Sequence, residues 1–483
     1  MKNSILIFLF VICVLPFGIS NAQWEPDVRL TDNSAGSFTS DNNAWCIAAN
    51  GNILHVVWYD NRDGNYEIYY KRSTDGGTSW GTDTRLTNNS GVSNYPSVAV
   101  SGSIVHVVWS DSRDTGIYYK RSTDGGTSWG ADQRLTNQTA LFANSFRTSV
   151  AVSGTVVNVV WHDLRDGNIE VYYKRSPDGG ASWGADTPLT NHTGQSVNPS
   201  IAVSGSVVHV AWEEQRDGNP EIYYRRSIDG GISWEPDTRL TNNPAQSRFA
   251  SISVSDSVVH IVWRDQRDGN MEIYYKRSTD GGANWGSDTR LTDNSATSQF
   301  PSIAASGSAV HVVWWDARSV SEEIYYKKST DGGTTWGTDT RLTNNSAESQ
   351  YASVTVSGSA VHVVWNDDRD GNWEIYYKRD QTGNTVGITS ISSVIPDGFS
   401  LSQNYPNPFN PSTKIEFAVP NSSFVKLAVY DLLGREVSSL VNEQLQPGTY
   451  EYDFDASRLN SGVYFYKLES NSFSEVKKML LIK

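Results

Sequence analysis

The chain has 483 residues, 39 Lys and Arg against 53 Asp and Glu, and a formal net charge of −14. That acidity argues against nucleic acid and anionic membrane as partners, and the length allows two to four domains. With 17 Trp and 24 Tyr, plentiful Val, Ile and Thr, and few helix-forming runs, the composition reads as all-β.

Residues 1–22, "MKNSILIFLFVICVLPFGISNA", carry Lys2 ahead of an apolar run too short to span a bilayer, then Ser20 and Ala22 before Gln23. This pattern predicts a removable export signal. No later segment is long and apolar enough for a membrane helix. Once the leader and Cys13 are removed, Cys46 is the sole cysteine, so no internal disulfide can form and stability must come from packing. The remaining chain opens with "WEPDVRLT" (Trp24 to Thr31), nearly the same words as "WEPDTRLT" (Trp234 to Thr241).

From there the sequence repeats. The signature "VHVVW" places its tryptophan at 58, 109, 161, 212, 263, 314 and 365, steps of 51 or 52 residues. In the second unit four short strands are predicted: A, "PSVAVSG"; B, "VHVVWSD"; C, "GIYYKRS"; D, "ADQRLT". Four strands per repeat and seven repeats predict a seven-bladed β-propeller over residues 23–380. Along strand B neither face is strongly polar, as expected for a blade covered on both sides. The seventh unit stops after its C strand, "EIYYKRD", so Trp24–Thr31 is expected to supply the missing D strand and close the ring around Glu374–Arg379.

Between strands C and D stands S-x-D-x-G-x-x-W, six times: Asp75 with Trp80, Asp124 with Trp129, Asp178 with Trp183, Asp229 with Trp234, Asp280 with Trp285 and Asp331 with Trp336. The Asp can accept hydrogen bonds from turn amides, the Gly allows positive φ, and the Trp is expected to fold back over the hairpin. This box resembles the Asp box, or BNR repeat, of sialidase-like propellers, and the resemblance covers residues 24 to 380. It implies a structural role for the box, on the face away from the ligand site.

The resemblance places ligands on the other face, where the B–C turns and D–A connections lie. The turns there contribute Arg62, Arg113, Arg165, Arg216, Arg267, Arg318 and Arg369. The bland reading pairs each with the aspartates of its own turn. The functional one is an arginine-rich face for a carboxylate or sulfate, as sialidases use three arginines on the sugar carboxylate. Sialidase chemistry also needs an Asp acid/base and a Tyr nucleophile activated by Glu, one set per protein. Here the blades are nearly interchangeable, and "SFRTS" around Arg147 is the nearest approach to the family's Arg-Ile-Pro motif. The blade count is seven where sialidases have six, and the ligand-face loops read as short and equal. Arg147, Glu213, Glu214, Arg248 and Trp315 break the repeat and are the places to look. His55, His106, His209, His260, His311 and His362, with Asn158 in the third blade, form a column that reads as core rather than metal site. The Asp-x-Arg-Asp-Gly-Asn turn places Arg where a calcium loop needs a ligand, so no metal and no cofactor is expected.

Residues 381–397, "QTGNTVGITSISSVIPD" with its small and polar residues, read as a linker. Residues 398–483 hold "NYPNPFNP" (Asn404 to Pro411) and short strands with turns at Gly434 and Pro447-Gly448, enough for a small β-sandwich. This segment resembles the type-A sorting domain of type IX secretion. The likeness implies that secretion machinery is a partner, with passage from the periplasm to the surface or exterior of a Gram-negative cell. The expectation is a monomeric, exported propeller that binds glycan or acts as scaffold or adhesion module without catalysis. The alternative is a sialidase-like exo-glycoside hydrolase acting on acidic glycans.

Overall fold

A computed structural model describes residues 24–40, 45–136, 147–383, 388–392, 395–445, 447–456, 459–470 and 473–483. The leader expected over 1–22 lies outside the described residues. Among the described residues all regular structure is β.

Blade 2 shows how a repeat folds. Strand A (Ser93–Ser101) turns at Gly102 into strand B (Ile104–Asp111), which pairs with C (Gly116–Ser122), then with a two-residue D (Gln133–Arg134). The A–B turn needs a residue at positive φ, and Gly102 takes it at 57°. Alternation along B sends Val105, Val107 and Trp109 towards blade 1 and Val108 towards blade 3. Seven antiparallel sheets repeat this plan. Seven apolar clusters lie between them, each shared by two neighbouring blades. At their centres sit Trp58, Trp109, Trp161, Trp212, Trp263, Trp314 and Trp365, all without exposure.

The ring closes as the repeated octapeptide foretells. Val28 and Arg29 pair with Tyr377 and Tyr376, completing the blade of Ser349–Ser357, Ala360–Asp367 and Glu374–Asp380. Further backbone bonds run from Glu25 to Arg379 and from Leu30 to Ile375. Inside the ring, serines of the A strands accept amide bonds from the next blade: Ser97 from Val150, Ser200 from Ile252, Ser251 from Ile303, Ser302 from Val354 and, across the closure, Ser353 from Cys46.

The ligand-face connections are not all equal. In blade 1 strand A is split into Ser37–Phe38 and Ile47–Asn50, because five more residues separate the box tryptophan from the strand-B tryptophan there (Trp24 to Trp58) than in blade 2 (Trp80 to Trp109). In blades 2, 4, 5, 6 and 7 strand A starts with a register shift at which Tyr95, Asn198, Phe249, Phe300 and Tyr351 adopt φ between 49° and 56°. Such conformations cost about 1–3 kcal/mol for a residue with a side chain, and cluster at functional positions.

The carboxyl-terminal unit is a sandwich of two four-stranded sheets. Ile415, Phe417, Leu427, Val429, Leu468 and Met479 fill its core. The "NYPNPFNP" segment is tied down: the Asn404 amide donates to the Tyr466 hydroxyl, and Phe409 is buried and bonded to the last strand. One boundary moves. Part of the expected linker, Ile388–Ser392, is a strand paired to Gly448–Asp455. Its β-branched, alternating "ITSIS" satisfies an otherwise open edge.

Candidate functional site

The Asp box is a joint between blades. In blade 1 Asp75 accepts the Ser79 amide at 2.8 Å and the hydroxyls of Ser79 and Ser73. These bonds, Ser79 foremost, hold its carboxyl down at about 2. The tryptophan does not fold back over its own hairpin. Trp129 meets Tyr70 of the preceding blade edge to face at 4.9 Å, and Trp80, Trp183, Trp234, Trp285 and Trp336 repeat this on Tyr377, Tyr119, Tyr173, Tyr224 and Tyr275. Each of these tyrosines points its hydroxyl at the second box glycine of the next blade. A Cβ on Gly126 would stand 1.9 Å from the Tyr70 oxygen, so a side chain there would drive the blades apart. The same hydroxyls bond to the strand-B column: His55 Nδ1 lies 2.7 Å from Tyr70, and Tyr173 donates to Asn158. The histidines are thus core groups held through Nδ1 by a tyrosine, and among the described residues Nε2 of His106, His260 and His362 is buried without a hydrogen-bond partner. Trp24 meets Tyr326 at 5.0 Å, so the amino-terminal strand also restores the box tryptophan that blade 7 lacks.

The seven turn arginines do not converge. Arg267 donates to Asp265 at its own turn at 2.6 Å and to Asp288 before strand D at 2.7 Å, and lies 4.3 Å over Tyr274. Arg62, Arg113, Arg165, Arg216, Arg318 and Arg369 repeat the arrangement, with guanidiniums 4.1–4.4 Å over a C-strand tyrosine. The buried carboxylate at the end of strand B also accepts the indole N–H in six blades, as Asp111 does from Trp109. The reading of these arginines as a ligand clamp therefore gives way to that of seven local pins, because each turn encloses its own counter-ions. Glu214 belongs to this set: it replaces the aspartate and holds Arg216 at 3.3 Å.

A different column converges. The residue after each strand-B tryptophan is Tyr59, Ser110, His162, Glu213, Arg264, Trp315 and Asn366, seven different side chains in a chain of near-copies. It lies where strand B ends, beside the strained start of strand A, around the mouth of the ring. A continuous belt runs through it. Arg147 lies 5.8 Å over Tyr95 and donates to Asn198 at 2.9 Å. Asn198 donates to Glu213 at 2.7 Å, the Phe249 amide bonds to the same oxygen, and Arg248 donates to the other at 3.0 Å. Arg264 stacks on Phe249 at 4.7 Å and donates to Gln299 at 2.5 Å. Phe249, Phe300 and Tyr351 then follow ring against ring, with Trp315 stacked on Phe300. Thr39 bonds to Tyr351 and Asn366, and Phe38 and Tyr59 lead back to Tyr95.

Glu213 is fully buried with both oxygens engaged, which fits it to hold the arginines in place. Burial, with Arg248 beside it, brings the Arg264 guanidinium down to about 10, so it remains charged at neutral pH. Of the symmetry-breaking residues singled out in the sequence, Arg147, Glu213, Arg248 and Trp315 meet here. His162, Arg264 and Asn366 escaped that reading; the signal for them was the complete divergence of the column after the strand-B tryptophan, a divergence shared by the column Tyr66, Thr115, Ile169, Pro220, Met271, Glu322 and Trp373 just ahead of strand C. Residues 41–44 and 137–146 lie outside the described residues.

Two family profiles match: a BNR repeat-like domain over residues 101–312 and a secretion system C-terminal sorting domain over residues 403–483. No curated protein matches the chain in sequence. Among solved structures, the polysaccharide lyase Uly1 is similar over 74% of this chain and 99% of its own, at 11% identity and a TM-score of 0.51, which shows a common fold. Phage phi92 endosialidase (10% identity; 94% and 79% covered) and Trypanosoma rangeli sialidase in complex with 2,3-difluorosialic acid (12%; 94% and 88%) follow at TM-scores of 0.46 and 0.43. No helix among the described residues is long and apolar enough to cross a membrane. The protein joins a β-propeller carrying a BNR repeat-like domain to a C-terminal sorting domain of type IX secretion, which directs it to the cell surface or beyond.

Proposed function

We propose that the exported propeller binds an acidic carbohydrate at the mouth of the ring and does not transform it. The observation that carries this is the divergence at the mouth: among the described residues, seven near-identical blades present seven different side chains there, most of them joined through the belt. Arg147, Arg248 and Arg264 supply cationic donors for a carboxylate or sulfate. Tyr95, Phe300, Trp315 and Tyr351 supply aromatic surface for sugar rings. The committed carboxylate of Glu213 supports binding over proton transfer.

The test is a glycan array probed with the full-length chain and with Arg248→Ala. Selective retention of uronate-, sialate- or sulfate-bearing glycans, weakened at least tenfold by the substitution, supports the reading. Turnover of a fluorogenic sialoside above background would replace it with the hydrolase alternative. We also propose that the carboxyl-terminal unit is removed after export, since ring closure uses none of its residues. Mass spectrometry of the surface-exposed or released protein checks this: a mature form still ending at Lys483 refutes it.

A further inference from the structure

On the Asp-box face, away from the mouth, a cavity of about 390 Å³ opens between the boxes of blades 3 and 4. Tyr173, Arg175, Pro177, Trp183 and Gly231 are among its lining residues. Arg175 belongs to a column of C-strand cations whose other arginines are bound. Arg72, Arg121, Arg226, Arg277 and Arg379 each donate Nη1 to a box glycine carbonyl of the next blade. Among the described residues Arg175 makes no such bond, and its Nε is buried without a hydrogen-bond partner.

The chain itself displays what this position accepts. In blade 4 the residue after the box tryptophan is Glu235, and its carboxylate lies 2.7 Å from Arg226 Nε. In blade 7 Glu25, next to Trp24, does the same to Arg379 at 2.7 Å. In blade 3 that residue is Gly184, followed by Ala185. The backbone is alike, since Gly184 and Glu235 both donate their amide to the carbonyl of their own arginine, at 2.9 and 3.0 Å. Blade 3 thus retains the arginine and lacks the internal carboxylate, and Arg175, Gly184 and Ala185 line the cavity there. A buried guanidinium edge is costly to leave unpaired, and a carboxylate is the partner its geometry suits.

We propose that this cavity is a second ligand site, distinct from the mouth, that takes a small carboxylate on the scale of one sugar acid. The carboxylate sits on Arg175 Nε where Glu235 sits on Arg226, and Trp183 and Pro177 flank the remainder of the ligand.

The experiment is calorimetric titration of the full-length protein with D-glucuronate, using glucose as the neutral counterpart. It is run in an Arg248→Ala background so that the mouth does not contribute. Glucuronate is expected to bind with one-to-one stoichiometry and glucose not at all. Gly184→Glu grafts blade 4's own carboxylate onto Arg175 and is expected to weaken glucuronate at least tenfold with thermal stability undiminished. Arg175→Gln is expected to weaken it similarly and covers the case in which the graft misfolds. Glutarate separates the sources: glucuronate bound more tightly assigns a sugar acid, whereas equal binding assigns the carboxylate alone, and both keep the site. Absence of glucuronate binding in the Arg248→Ala protein, or binding unchanged by folded Gly184→Glu, overturns the proposal.

Discussion

The two faces of the ring are built by opposite rules. On the Asp-box face one set of contacts recurs blade after blade: Trp on the preceding blade's Tyr, Tyr against Gly, Tyr to His. At the mouth the corresponding positions hold Tyr, Ser, His, Glu, Arg, Trp and Asn. Repetition marks what every joint needs, namely the same spacing and twist between neighbours. Divergence marks the place where one ligand must meet seven surfaces at once, and no single residue type can serve all seven.

The repeated face carries the largest predicted effect, through pH. Burial, then a neighbouring guanidinium, lowers the pKa of His55, His106 and His209 to about 4 and that of His260 and His362 to about 3. These rings stay neutral in the fold, while in the unfolded chain they titrate near 6.5. The unfolded state therefore takes up protons first, so stability is fully present above pH 6.5 and is lost as pH falls towards 4. Each histidine contributes a slope of about 1.4 kcal/mol per pH unit, and the five together about 7. Denaturant titrations from pH 7 to 4.5 measure it. His106→Asn, the choice blade 3 makes at Asn158, should remove one histidine's share.

Next come the joints themselves. Trp263→Ala empties a fully buried site and should cost about 3–5 kcal/mol by urea unfolding. Gly282→Ala would place a Cβ 1.9 Å from the Tyr224 oxygen at a residue with φ of 82°, and should cost about 2–3 kcal/mol. A near-neutral result would show that the blades can slide apart freely, which would break the contrast between the faces. The mouth comes last. Arg248→Ala, at a side chain about 30% exposed, leaves one oxygen of the buried Glu213 without its donor and should cost about 1–3 kcal/mol while weakening glycan affinity at least tenfold. A large stability loss with unchanged affinity would move Arg248 into the scaffold.

The fold was legible because its determinants are periodic. Seven tryptophans at a spacing of 51 or 52 residues announce the blades, and the truncated seventh unit together with "WEPDVRLT" announces the closure. What could not be read was which neighbour a repeated residue touches: Trp80 is four residues from Gly76 in its own hairpin, yet it rests on Tyr377. The turn arginines stood between pairing within their own turns and a ligand role, because their second partners Asp83, Asp132, Asp186, Asp237, Asp288, Asp339 and Asp27 stand about twenty residues away or, for Arg369, at the other end of the propeller. The belt was half visible. Arg147, Glu213, Arg248 and Trp315 stood out singly, but the circle that joins them exists only after the ring has closed. Ile388–Ser392 was hidden by its resemblance to linker, since small polar strands differ little from coil until an edge is there to receive them.

The borrowed strand also sets a clock for export. Arg29 binds Glu374 across 345 residues of chain, so the last blade must be made before the first strand finds its place. Loops of that length close late and contacts of that range form slowly. A chain handed over for secretion while its far end is still being synthesised cannot have locked its ring. The interval before locking is the interval in which it can be threaded across the inner membrane unfolded. For a chain exported in that way, closure would fall on the far side of the membrane, where the whole propeller is first present at once.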